Sequence, residues 1–229
     1  MSERTLPPSV WAAPPAGRVL VFAPHADDEV IGVGGTLALH RAQGDPVRVV
    51  VMTAGTGGDP DGVFGTEIAA IRRREALEGG AILGLTDYAF WEYPDGFEMS
   101  GEDEKSAAAR GVKELRGFSP DLVYAPWERE AHLDHWNAWR VAARALREAG
   151  FGGRSLGFEV WTPCVAEVVV DVTPVWSKKV EALCKHASQL RYTDHVAKTL
   201  GMNAHRSLYL PAGSRYGEAL VRLLPERKP

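Results

Sequence analysis

Cysteine is scarce: the chain has 229 residues and only Cys164 and Cys184. They share no C-x-x-C spacing and build no framework, so they read as two buried or half-buried thiols in a reducing compartment. A basic surplus is also missing. The formal net charge is −4, which recommends neither nucleic acid nor an acidic membrane surface as a partner. No stretch reaches the roughly 18 apolar residues that a membrane span needs. Residues 1–17 hold Arg4 but no apolar core of a signal peptide, and this proline- and alanine-rich stretch reads as a loose arm. The expectation is a soluble, cytoplasmic protein. With no internal repeat and no low-complexity linker, residues 18–225 read as one domain.

What is present is an alternation of strand and helix. Arg18–Phe22 (RVLVF) and Val47–Thr53 (VRVVVMT) are short apolar runs that end abruptly and predict buried strands. A helix is predicted from Glu29 to Gln43, closed by Gly44, and another from Thr66 to Leu83, with Gly84 just past its end. Tyr88–Trp91 reads as a third strand and Leu122–Ala125 as a fourth. Between them Ala108, Val112 and Leu115 share one face of a helix over 102–116, and Asp134–Ala149 is a helix capped by Gly150. In the last third, Glu159–Trp161 and Glu167–Val172 read as an antiparallel pair, and Thr173-Pro174 opens a helix. Such repetition predicts an α/β sandwich, Rossmann-like, with a mostly parallel sheet, helices on both faces and an antiparallel addition in the C-terminal third.

Parallel sheets carry their functional loops at the carboxyl ends of the strands. Three notable segments follow predicted strands directly. They are Pro24-His25-Ala26-Asp27-Asp28-Glu29, Gly55-Thr56-Gly57-Gly58, and the stretch ending in His132-Leu133-Asp134-His135. The first packs four ionisable side chains into a tight bend, which is costly without a positive partner; a divalent metal supplies one. His25 and Asp28 are spaced to turn toward one point, and His132 and His135 share a helix face at i and i+3. Two imidazoles and one carboxylate make a common zinc set that leaves a position open for water. A carboxylate beside the metal can then take a proton, so of Asp27 and Asp28 one binds metal and one faces the water. His132 fits the role of polarising the attacked group, and Asp134 that of orienting a histidine from behind.

These residues resemble the LmbE-like (PIG-L) zinc-dependent de-N-acetylases. PHADDE and H-L-D-H carry the resemblance. Ile31–Thr36, Met52–Gly55, Arg72-x-x-Glu75, Glu159–Trp161, Val170–Thr173, Ser188-Gln189 and Tyr216–Ala219 extend it over about residues 18 to 222. The resemblance implies His25, Asp28 and His135 as metal ligands and Zn2+ as the metal, with Fe2+ left open. It implies Asp27 as general base, His132 as stabiliser of the tetrahedral intermediate, and Arg72 and Asp95 as substrate contacts. The implied substrate is a small-molecule amino sugar conjugate of the N-acetylglucosamine type, losing acetate to give a free amine. Three positions depart from the pattern: Ala26 and Leu133 stand where the family often has proline, and Glu130 where some relatives have tyrosine.

Another N-acyl amine as substrate stays open, as does a homo-oligomer. Metal-dependent phosphoester hydrolysis is a further alternative, since clustered aspartates also bind magnesium, although histidine-rich ligation argues against it. Among the remaining residues, His40 reads as a solvent-facing helix residue, and His186 is the first choice of the C-terminal histidines to approach the site. Trp127 and Trp136, which flank the second motif, read as core packing or as a sugar-stacking platform. Gly32-x-Gly34-Gly35 lacks the dinucleotide spacing, and nearby acids would repel a pyrophosphate.

Overall fold

A computed structural model describes residues 6–224. Residues 1–5 of the expected arm and residue 225 of the expected domain lie outside the described residues. Eight strands form one sheet: β1 (Ser9–Trp11), β2 (Val19–Ala23), β3 (Val47–Thr53), β4 (Asp87–Tyr93), β5 (Leu122–Pro126), β6 (Arg154–Phe158), β7 (Val168–Asp171) and β8 (Gly217–Arg222), in the order β1-β7-β8-β6-β5-β2-β3-β4. All neighbouring pairs are parallel except the two that β8 makes with β6 and β7. The helices are α1 (Asp28–Ala42), α2 (Ile68–Leu83), α3 (Gly101–Phe118), α4 (Leu133–Glu148), α5 (Trp176–Leu183), α6 (Ala187–Leu190) and α7 (His195–Arg206).

The central strands are apolar on both faces because helices cover both. Val19, Val21, Val49, Val51 and Tyr124 pack on one side against α1, α2 and α5. Leu20, Phe22, Val50, Met52 and Val123 pack on the other against α3 and α4. The α/β sandwich expected from the sequence is therefore present. Strand order reverses at β2, since β3 and β4 lie to one side and β5 and β6 to the other. Crevices form at such a switch point, outside the carboxyl ends of the strands. PHADDE leaves β2 there and H-L-D-H follows β5.

Three expectations need correction. The antiparallel partner in the last third is β8 rather than Glu159–Trp161. The strand before it is Arg154–Phe158, where Gly157 is required because a Cβ would stand 2.9 Å from that of Trp127. Within the expected arm, Ser9–Trp11 pairs with Val168–Val170 as an edge strand. His40 does not face solvent: it is fully buried, its Nδ1 2.7 Å from Asp45 Oδ2 and its Nε2 3.0 Å from the Tyr124 hydroxyl. Helix α1 is buried almost all round, so it has no polar face on which a histidine could lie.

Helix α1 breaks at Val33 (φ −134°, ψ 15°). The glycines around the break serve packing. A Cβ on Gly32 would stand 2.2 Å from the Phe158 ring, and one on Gly35 2.6 Å from Val172. The break frees backbone groups, and buried charges meet them. Glu218 accepts from Gly35 N (2.8 Å), Thr36 N (2.7 Å) and Thr36 Oγ1 (2.6 Å). Lys179 Nζ donates to Ile31 O (2.8 Å), Asn203 Oδ1 (2.8 Å) and Glu218 Oε1 (2.6 Å), and neither charged residue is exposed at all.

Removing one member of a fully desolvated pair strands the other. Lys179→Met is expected to cost about 3–5 kcal/mol in urea unfolding, and Lys179→Met with Glu218→Gln to recover part of that loss. A second expectation concerns pH. Burial, acting against Asp45, lowers the His40 pKa below its ordinary value. The folded state thus prefers neutral His40, and stability falls as pH drops below the unfolded value of about 6.5. His40→Gln is expected to flatten thermal midpoints between pH 7 and pH 5, roughly the window below that value.

Candidate active site

Backbone contacts fix the first loop. Pro24 O accepts from both Thr53 N (2.9 Å) and Thr53 Oγ1 (3.0 Å), which joins the ends of β2 and β3. Asp28 opens α1, where the helix dipole favours a carboxylate. Its Oδ2 accepts from His25 N at 2.9 Å and lies 2.9 Å from His25 Nδ1. His132 caps α4, its Nδ1 accepting the Asp134 N–H at 3.2 Å. The two segments, more than a hundred residues apart, meet at the switch point. Ring centroids of His25 and His132 are 5.0 Å apart, His25 and His135 5.4 Å, and His132 and His135 4.7 Å.

Hydrogen-bond partners settle which nitrogens carry protons. His132 Nδ1 is an acceptor, so in the neutral ring its Nε2 carries the hydrogen and is a donor. Burial, together with the neighbouring His25 and His135, lowers the His132 pKa and keeps the ring neutral. His135 Nδ1 lies 3.2 Å from Glu130 Oε2 and must donate to it. The His135 Nε2 lone pair is thereby free; that atom is buried, has no hydrogen-bond partner, and lies 3.4 Å from Asp28 Oδ2. An orphaned imidazole nitrogen beside a carboxylate, with its other nitrogen held by a carboxylate, suits a metal ligand.

His25 is placed differently, with a carboxylate at each nitrogen: Asp28 at Nδ1 and Asp134 at Nε2, 3.0 Å away. Burial by itself would lower its pKa, but the two aspartates override that and raise it to about 10. Ligand atoms of His25, His132 and His135 lie within 4.8 Å of one another, as do those of His25, Asp95 and Asp134. This donor set of imidazoles and carboxylates fits a borderline ion such as zinc.

Asp27 is buried beside Arg72, whose Nη2 donates to Asp27 Oδ1 at 3.3 Å while Nη1 reaches Gly55 O at 3.4 Å. Of the three consecutive arginines, Arg72 is the one that turns inward; Arg73 stacks over Phe90. Asp95 accepts from Gly55 N (3.1 Å), Thr56 Oγ1 (2.8 Å) and Gly57 N (3.1 Å), so most of its carboxylate organises the glycine loop. Asp134 accepts from Gly96 N at 2.9 Å as well as holding His25. Glu29, next in the motif, faces away from the cluster toward Tyr88, whose hydroxyl donates to it at 3.0 Å; burial raises its pKa to about 8.

All eight residues singled out by the sequence line one cleft of about 360 Å³. Others were not foreseen. Trp161, Gln189 and His195 line the same cleft. The tryptophan at the site is thus neither Trp127, whose indole donates to Thr162 O (2.8 Å) in the packing beneath, nor Trp136, which stacks on Arg140 outside. His186 is buried behind α2 and does not line the cleft. Glu130, in the place of the expected tyrosine, accepts from Val160 N (2.7 Å), Trp161 N (3.1 Å) and Thr162 N (3.1 Å) besides holding His135. Its signal was weak, being one acid in a charged stretch.

The family model described as GlcNAc-PI de-N-acetylase matches residues 20–146. The chain is 31% identical to a 1D-myo-inositol 2-acetamido-2-deoxy-alpha-D-glucopyranoside deacetylase of Nocardia farcinica, over 67% of this chain and 59% of that protein. It is 30% identical to a probable N-acetyl-alpha-D-glucosaminyl L-malate deacetylase of Bacillus anthracis, over 80% and 89%. It is 27% identical to a 4-oxalmesaconate hydratase of Pseudomonas putida, over 92% and 91%. Among solved structures, N,N'-diacetylchitobiose deacetylase from Pyrococcus horikoshii superposes with a TM-score of 0.76 at 28% identity, covering 89% of this chain and 82% of that one. Together with the two motifs meeting at the switch point, these matches establish that the chain belongs to the PIG-L (LmbE-like) family.

Proposed function

We propose that the protein is a metal-dependent hydrolase, with zinc as its ion, that removes the acetyl group from an N-acetylglucosamine-type conjugate. The observation that carries this reading is the orphaned, buried His135 Nε2 beside Asp28 and His25. His25, Asp28 and His135 would hold the ion, which when bound supplies Lewis acidity for the amide carbonyl and for water. The names of the Nocardia, Bacillus and Pyrococcus relatives support the amide and the amino sugar.

The chain's own residues divide the remaining work. Asp27 takes a proton from the attacking water as the carbon–oxygen bond forms. Arg72 holds that carboxylate in place. The His132 Nε2–H donates to the carbonyl oxygen as negative charge develops on it, which is where such a donor contributes most. Asp27 returns the proton to the amine nitrogen as the carbon–nitrogen bond breaks, so acetate and a free amine leave. Asp134 and Asp95 position His25 and the glycine loop rather than reacting themselves.

The Pseudomonas relative favours a second reading, addition of water to a carboxylate-bearing alkene. Such a substrate would enter a cleft lined by Asp27, Asp28, Asp95 and Asp134, where the only lysine or arginine among the described lining residues is Arg72, already paired with Asp27. A neutral amide suits that lining better.

Chelation is expected to abolish acetate release from N-acetylglucosamine conjugates, and added zinc to restore it; no release from any amide by the zinc-loaded protein would sink the proposal. Asp27→Ala should retain its metal while turnover falls by roughly 10²–10⁴-fold. His135→Ala should lose metal by elemental analysis, and Glu130→Gln should weaken metal affinity by about 10–100-fold. Loss of metal in Asp27→Ala would exchange the roles of the two aspartates.

A further inference from the structure

The cleft does not end at the reacting groups. A second cavity of about 580 Å³ adjoins it, and Ile31, Trp161 and His195 line both. Trp161 stands between the two. Its ring lies edge-on to His132 (4.9 Å) and His135 (5.5 Å), yet the residue is 57% exposed. Its position is not loose. Glu130 grips the backbone N–H groups of Val160, Trp161 and Thr162, so the carboxylate that orients His135 also sets the wall.

The two chambers differ in chemistry. The reaction chamber is lined by Asp27, Asp28, Asp95 and Asp134. The annex holds no carboxylate among its described lining residues. Ile31, Val160, Trp161, Ala197 and Met202 supply apolar lining beside Thr193, His195 and Thr199, and Lys198 lies on an exposed position of α7. A ligand that spans both meets four carboxylates where it reacts and none, among the described lining residues, where it extends.

The geometry points to Trp161 as the specificity-determining side chain, dividing the site so that the annex receives an uncharged apolar group, aryl or alkyl, attached to the amino sugar. This assignment rests on the deacetylase reading and adds to it the kind of group that the sugar carries. A buried phenyl-sized group gains enough from leaving water to change affinity by about tenfold or more.

The annex can be blocked without disturbing the fold. A Cβ at Gly201 on α7 would meet no atom within 4 Å. Gly201→Phe and Met202→Trp both add bulk to the annex lining. The zinc-loaded protein is assayed on N-acetylglucosamine and on its benzyl glycoside, and calorimetry measures binding of benzyl glucoside, which lacks the amide. The wild type is expected to favour the benzyl glycoside by about tenfold or more in kcat/KM, mainly through KM. Each variant should reduce that preference below about threefold and weaken benzyl glucoside binding by about tenfold. A preference near unity in the wild type, no binding of benzyl glucoside to it, or affinity unchanged in both variants overturns the assignment. Acetate release from neither sugar, with benzyl glucoside still bound and both variants impaired, sinks the deacetylase reading and leaves the annex standing.

Discussion

The pairing of Lys179 with Glu218, sealed from water inside the break of α1, is the interaction on which the arrangement turns. A buried pair of this kind is weak evidence for stability, because desolvating both charges offsets much of their attraction. Its contribution here is to geometry. The pair satisfies backbone groups that a break leaves without helical partners, so α1 can bend at Val33 with glycine faces pressed on Phe158 and Val172. The first turn of α1, bearing Asp28 and Glu29, then sits at the carboxyl edge of β2 while the rest of the helix covers the sheet. The two charges come from α5 and β8, and Asn203 from α7, so the last third of the chain holds the segment that carries Asp28.

A similar logic governs the site, where side chains are oriented by their neighbours. Glu130 leaves His135 a free nitrogen; the Asp134 amide turns the donating nitrogen of His132 outward; Asp28 and Asp134 hold the His25 pKa well above its ordinary value. The carboxylates also serve as structural acceptors. Asp95 gathers the glycine loop, Asp134 fixes Gly96, and Glu130 draws in Val160 to Thr162. Polar groups that shape the loops and polar groups that face the cleft are largely the same residues.

Short segments carried what the sequence made legible. PHADDE and H-L-D-H each follow a strongly apolar strand, so the parallel-sheet rule alone brings them to one edge, and the structure unites all eight expected residues there. Trp161, Gln189 and His195 stayed hidden because they reach the cleft through irregular backbone after β6 and across α6 and α7, where no period points to a face. His40 was misread for a related reason: a helix enclosed on all sides has no amphipathic signal. Tyr216–Ala219 was visible as a family-like segment but Gly217–Arg222 was not visible as a strand, since nothing local marks pairing with residues about 45 to 65 positions earlier.

Strand β8 has a bearing on how the molecule assembles. Among the described strands it alone joins β7, and through β7 the edge strand β1, to β6 and the rest of the sheet. It also leaves the ribosome after every other described element. Until then β1 and β7 have no seat, and Lys179 has no carboxylate beside it. The early strands can associate first, but the bend that sets Asp28 waits for Glu218. Pairing over such sequence separation is slow because loop closure precedes any gain from contact. The nascent chain therefore lacks this geometry until β8 is synthesised, and an early chain would present acids and imidazoles that have not yet converged.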